Sequence, residues 1–419
     1  MDLDQLAPDV DRIRQDFDDI AAFVDDSQPG WSRQVLSDPY LASRAWVRRA
    51  MEDAGLAVHQ DEAGNTIGRL AGRGGGGALA TGSHTDTVAG GGRFDGIIGV
   101  LGALEMVRRL RETGTVLDHD LLVVDFLGEE PNDFGVSCVG SRSITGSVTP
   151  AFFDQTDAAG LRLGTALERH GYSPHAMLSG AWQKGSVDAF VELHIEQGPV
   201  LERSGTQLGV VTAIAGIERV VATFLGRADH AGTASMTDRR DALTAAAEAI
   251  LTVEQIGCTG ESSVATTGSL EVEPGAMNVV PSLARMWTEL RSPSAEWLGS
   301  ARRQVLDQIA ALARRRDIEV DLQWLNDQDP VPTATSVQDV VASAASALGH
   351  SWQAMPSGAG HDAAHMATLA PTGMIFVPSR DGRSHCPEEW TDFDDVGIGV
   401  HALTATLLEL DGARAGAGR

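Results

Sequence analysis

Cysteine is scarce: Cys138, Cys258 and Cys386 are odd in number, far apart and without a CxxC partner. That pattern fits reduced thiols better than a disulfide framework. No apolar run reaches the length of a membrane span. The opening segment MDLDQLAPDVDRIRQDFDDI has acids where a secretory leader needs a basic region and an apolar stretch. The expectation is a soluble, cytoplasmic protein. No Lys/Arg cluster interrupts a formal charge of −26 and a pI near 4.7. Phosphate backbones and anionic membranes are therefore repelled, and neither is expected as a partner. The run Gly74 to Gly77 is not followed by the Lys-Ser/Thr of a phosphate cradle and reads as a surface loop.

What is present is an ordinary globular composition, 42% hydrophobic and 21% charged. A chain of 419 residues exceeds what one core usually serves, which predicts two domains or one large domain with an insertion. The spacing predicts a helix over 41–54 ended by Gly55, a strand LAVH, a turn at Gly64-Asn65 and a strand TIGRL. A buried strand ALATGSH, a loop to Asp95, a helix over 96–112 and a second buried strand LLVVDFLG follow. Apolar strands alternating with helices imply an α/β sheet covered on both faces, with ligand groups at the carboxyl ends of strands. His84 and the pair Glu129/Glu130 fall at such ends. From about Thr212 the pattern turns to a βαββαβ order, a smaller α+β insertion with limits near 213 and 329. PTGMIFVPS then reads as a strand and 393–408 as a closing helix.

In GSHTDTVAGGGRFDG, His84 follows a buried strand, Asp86 is placed to orient its imidazole, and Asp95 precedes the next helix. That layout suits a divalent ion with N and O ligands. Equally, His84 can be a bonded loop histidine and Asp95 a helix cap. In VVDFLGEEP, one of two adjacent acids can hold metal while the other acts as general base, or both can be a solvated turn. His194 in VELHIEQGPVLE and His385 in SRDGRSHCPEEW are each, alone, ordinary structural histidines. As a set, the residues fit two ions, with His84 and His194 on one, Glu130 and His385 on the other, and Asp95 bridging. Zinc is the default for such ligands, with manganese, cobalt or nickel able to take the same set.

These segments, together with DEAGNTIGRL, GRADHAG, PGAMNVVP, ELRSP and SGAGHDAAHMA, resemble the N-carbamoyl-L-amino-acid amidohydrolase group. That group includes β-ureidopropionase and allantoate amidohydrolase, within the di-zinc aminoacylase and carboxypeptidase-like peptidases. The resemblance spans nearly the whole chain. It implies a di-metal catalytic domain over 1–212 and 330–419, a central mixed sheet flanked by helices. The α+β domain over 213–329 would serve as lid and dimerisation domain of a homodimer. It further implies that Glu129 is the catalytic base and that Arg291 clamps a carboxylate-bearing small-molecule substrate. Asn278 would bond the same end of the substrate, and His230 would reach the partner subunit's site to stabilise the oxyanion. Gln197 and the Gly360-His361 loop would line the pocket. The expected reaction is hydrolysis of an N-carbamoyl amino acid to amino acid, ammonia and carbon dioxide. The alternatives are an N-acyl amino acid or dipeptide hydrolase, an allantoate amidohydrolase, or an inactive metal-binding regulator. One departure stands beside the catalytic pair: the group has Glu-Glu-Gly followed by Arg-Phe, whereas this chain has Pro131-Asn132-Asp133-Phe134.

Overall fold

Strands that are buried along their whole length belong inside a sheet covered on both faces, and Ala78–His84 and Thr372–Val377 are of that kind. In the computed structural model, which describes residues 3–74 and 77–415, they lie in one mixed sheet. Gly75 and Gly76, the middle of the glycine run, lie outside the described residues.

Four strands form the parallel centre. Ala78–His84 pairs with Leu121–Phe126 on one side and Val187–Ile195 on the other, and the latter pairs with Thr372–Val377. Antiparallel strands flank them: Thr66–Leu70 and Ala57–Gln60 at one side, Leu208–Ile214 at the other. Because the four central strands run the same way, their carboxyl ends share one edge of the sheet, where α/β sheets gather ligand groups. The helices Ile97–Glu112 and Phe393–Ala415 pack on this sheet and on each other through a core that includes Leu101, Leu104, Val400 and Leu403. The closing helix runs past the expected end at 408 to Ala415, continuing through Gly412.

Arg44, on the helix Asp38–Asp53, is buried and meets Asp125 at 3.1 Å, and also bonds Thr66 Oγ1. Asp125 is inaccessible to solvent, and burial pushes its carboxyl upward, against the pull of Arg44. Removing one partner of such a pair strands the other charge. Arg44→Ala is expected to cost about 3–5 kcal/mol, read as a lower urea midpoint. A loss below about 1 kcal/mol, the range of exposed pairs, would show that Asp125 does not depend on Arg44.

The chain divides into two units. The first comprises Met1–Thr212, Thr333–Met355 and His361–Arg419; the second comprises Ala213–Pro332 and Pro356–Gly360. The expected division at 330 differs by three residues, since Val331 and Pro332 still pair with Ile214 and Ala213. Gly360 falls in the second unit and His361 in the first. The second unit has a four-stranded antiparallel sheet in the order Glu319–Gln328, Gly216–Leu225, Leu283–Ser292, Val264–Glu273. The helices Ala242–Gly257 and Ala295–Arg315 cover one face of it, and the buried residues of Leu283–Ser292 alternate as one covered face requires. Short helices at Val139–Ile144, Pro150–Phe153, Leu163–Arg169 and Pro174–Ser179 fill the stretch between the second and third central strands.

Candidate metal centre

His84 ends its strand and turns its ring toward the sheet edge. Its Nδ1 lies 3.0 Å from the backbone carbonyl of Asp86, which leaves Nε2 free to bind. His194, the penultimate residue of Val187–Ile195, is held the same way, with Nδ1 2.9 Å from the carbonyl of Ile195. The two rings stand 6.1 Å apart between centroids. Gly96 opens the following helix at φ +69, and a Cβ there would come within 2.3 Å of the His84 ring, so only glycine fits.

Asp95 lies between the histidines. Its Oδ1 is 3.1 Å from His194 Nε2 and 4.0 Å from His84 Nε2, while its Oδ2 is 3.0 Å from His385 Nε2. Glu130 Oε1 completes the second side at 3.3 Å from His385 Nε2. Two trios share Asp95: His84–Asp95–His194 and Asp95–Glu130–His385, each with ligand atoms within 4.8 Å of one another. A third trio, Glu192–His194–His361, reuses His194. The Glu192 oxygens already accept from Ser83 Oγ and the Ala363 amide, and the His361 ring packs edge-on against His194 at 4.5 Å.

Asp86 lies beside the His84 ring, its Oδ1 3.7 Å from His84 Nδ1, while the Asp86 carbonyl takes the ring's hydrogen bond. Its carboxylate also accepts the amides of Glu129 at 3.2 Å and Glu130 at 3.0 Å. The two carboxylate oxygens thereby hold the main chain at Glu129 and Glu130. Glu129 belongs to neither ligand trio that includes Asp95; its Oε2 is 3.6 Å from His84 Nε2.

The electrostatics call for cations. Burial, then Glu130 and other nearby acids, pushes Glu129 well above the usual carboxylate range; burial and Asp95 do the same to Glu130. Burial disfavours charge on His194 and His385, yet Asp95 outweighs it and pushes each up to about 9. Burial is likewise outweighed at Asp95, which those two rings hold well below its usual value. Buried carboxylates gathered around imidazoles suit divalent ions, which supply positive charge there. The donor set, three imidazoles and two carboxylates, fits borderline divalent metals.

Gln197, at φ +58, directs its amide to Asp95 Oδ2 at 2.9 Å and Ser384 Oγ at 3.1 Å. In the second unit, Ala231 donates its amide to the Asn278 carbonyl, which brings His230 and Asn278 together on an exposed surface. Arg291 there bonds Glu289 through Nε and the Gly358 carbonyl through Nη1, and Arg219 meets the other Glu289 oxygen.

Three residues that bear on the centre escaped the sequence reading. The Cys138 thiol lies 3.6 Å from Glu129 Oε1. Asp362 is buried, accepts from Ser141 Oγ and acts electrostatically on Glu129. Glu389, in CPEEW, carried no signal beyond an acidic turn, yet it is buried and bonds the amides of Phe94 and Asp95.

The chain is similar to known proteins along most of its length. Residues 80–409 match the profile of Peptidase family M20/M25/M40. An N-carbamoyl-L-amino acid amidohydrolase of Geobacillus stearothermophilus is 38% identical over 86% of this chain and 88% of its own. A ureidoglycolate hydrolase of Oryza sativa subsp. japonica is 35% identical over 96% and 85%. Among solved structures, an amidase of the hydantoinase/carbamoylase family from Burkholderia multivorans superimposes with a TM-score of 0.88 at 33% identity, covering 96% of this chain and 98% of that one.

Proposed function

Because the chain belongs to Peptidase family M20/M25/M40, a metal-dependent hydrolase family, and is an amidohydrolase of the carbamoylase and allantoate amidohydrolase group, we propose that it hydrolyses the ureido bond of an N-carbamoyl amino acid. The products are the amino acid, ammonia and carbon dioxide. The observation that carries this reading is Asp95, whose two oxygens face separate imidazoles, His194 and His385.

His84, His194 and Asp95 would hold one divalent ion, and Asp95, Glu130 and His385 a second, with zinc favoured by ligand type. Such ions, when bound, polarise a carbonyl and make water acidic enough to react near neutral pH. Glu129 takes the proton of the attacking water and returns it to the departing nitrogen. Asp86 holds the Glu129 and Glu130 amides so that base and ligand keep separate directions. Arg291 receives the substrate carboxylate, Asn278 and Gln197 bond the substrate, and His230, supplied by the second copy of a homodimer, donates to the oxyanion. His361 lines the pocket with Gly360.

A second reading, hydrolysis of ureidoglycolate or allantoate, is supported by the likeness to ureidoglycolate hydrolase over 96% of this chain. The test is ammonia release by metal-reconstituted protein from N-carbamoyl, N-formyl and N-acetyl L-amino acids, allantoate and ureidoglycolate. Turnover is expected with ureido substrates and is abolished by chelation. Release of amino acid from acyl substrates without ammonia would move the chain to the aminoacylases.

A further inference from the structure

Glu389 holds two loops at once, and the loops carry the ligands of the second trio. Its Oε1 accepts the amides of Phe94 at 2.8 Å and Asp95 at 3.0 Å. Its Oε2 accepts the Ser384 hydroxyl at 2.6 Å and the His385 amide at 3.3 Å. These two pairs of donors come from segments almost 300 residues apart in sequence, and an acceptor-only carboxylate is the side-chain group that suits all four.

The surroundings are shaped for this one carboxylate. A Cβ at Gly92 would lie 2.0 Å from the Glu389 carboxyl carbon, so the glycine leaves room where any side chain would expel it. The fully buried Arg33 guanidinium, bonded through Nε to the Thr85 carbonyl, supplies nearby positive charge. His385 itself stands at φ +56, a left-handed conformation that a non-glycine residue keeps only when its surroundings hold it. Its side chain is half exposed. Packing alone therefore does not fix its direction, and the bonds from Glu389 to His385 and Ser384 anchor its backbone.

We propose that Glu389 is a positioning residue that sets the second metal trio, Asp95–Glu130–His385, by locking the Asp95 and His385 loops together through its two oxygens. This rests on the two-ion reading above. Glutamine at 389 keeps the acceptor toward Phe94 and Asp95 but turns an amide NH₂ toward Ser384 and His385. The Ser384 hydroxyl can rotate toward Asp95 Oδ2, 3.3 Å away, whereas the His385 N–H has no such freedom. The damage falls on the His385 side. His84 and His194 are oriented by backbone carbonyls that Glu389 does not touch.

The experiment is Co²⁺ titration of metal-free wild type, Glu389→Gln, Gly92→Ala and His385→Ala, followed by d–d absorption and by competition with a chelator, with urea midpoints measured alongside. Wild type is expected to bind two ions. Glu389→Gln should bind the first within about threefold of wild type and the second about 10–100-fold more weakly. It should share the residual spectrum of His385→Ala, whereas Gly92→Ala, which displaces Glu389 Oε1 from the Asp95 amide as well, should weaken both ions. Wild-type affinity at both sites in Glu389→Gln overturns the proposal. Equal weakening of both ions in that variant, in step with a lowered urea midpoint, also overturns it, since that is what a merely structural role gives. Wild type that takes up only one Co²⁺ overturns the two-ion reading itself, and the inference with it.

Discussion

Glu129→Gln is expected to lower kcat by about 10²–10⁴-fold while metal content stays at the wild-type level. Glutamine has the shape of glutamate, and the main-chain N–H at 129 donates a hydrogen bond to the Asp86 carboxylate that the substitution leaves in place. What is lost is a proton acceptor. The ion ligands proposed are His84, Asp95, Glu130, His194 and His385, and none of them is altered. Ammonia release from a ureido substrate gives the rate, and elemental analysis of dialysed protein gives the ion content. Activity within tenfold of wild type would remove Glu129 from the base role. Loss of an ion from the variant would make it a ligand instead.

The second large effect is at Arg291. A guanidinium to carboxylate hydrogen bond contributes about 1.5–3 kcal/mol and a planar fork can make two. Arg291→Ala should therefore reduce kcat/KM by about 10²–10³-fold, chiefly through KM. The fold should tolerate the change, because Glu289, the partner of Arg291, keeps its bond to Arg219 at 2.8 Å. Wild type should prefer a free carboxylate over the corresponding carboxamide, and the variant should treat the two alike. A variant that still discriminates would place the carboxylate elsewhere.

Much of the centre was legible because its groups sit at strand ends, where a short apolar run is followed by His84, by Glu129 and Glu130, or by His385 after PTGMIFVPS. The periodicity that marks a buried strand marks its end as well. The division into a mixed-sheet unit and an inserted βαββαβ unit was legible for a similar reason, since alternation of period 2 replaces continuous apolar runs near Thr212. The short helices over 139–179 were not, because a helix of four to seven residues spans too few turns to show a period. Asp86 was assigned to the His84 ring by nearness in sequence, and its carboxylate does lie beside that ring, but its bonds to amides about 43 residues away were not foreseen. Glu389 was invisible for the same reason, with partners at Phe94 and Asp95 that only the folded sheet edge brings near. Spacing along a chain reports local chemistry. It carries no record of which distant backbone amide a side chain will meet.

The turn after Glu129 and Glu130 keeps its hydrogen bonds to itself. Asn132 Oδ1 accepts the Phe134 amide, the Asn132 carbonyl accepts from Gly135, and its amide donates to Val136. Glu129 and Glu130 are fastened separately, by Asp86. Residues 131–133 therefore share no hydrogen bond with the carboxylate that fastens Glu129 and Glu130, so the shape of this turn and the main chain of the two acids are set by separate contacts.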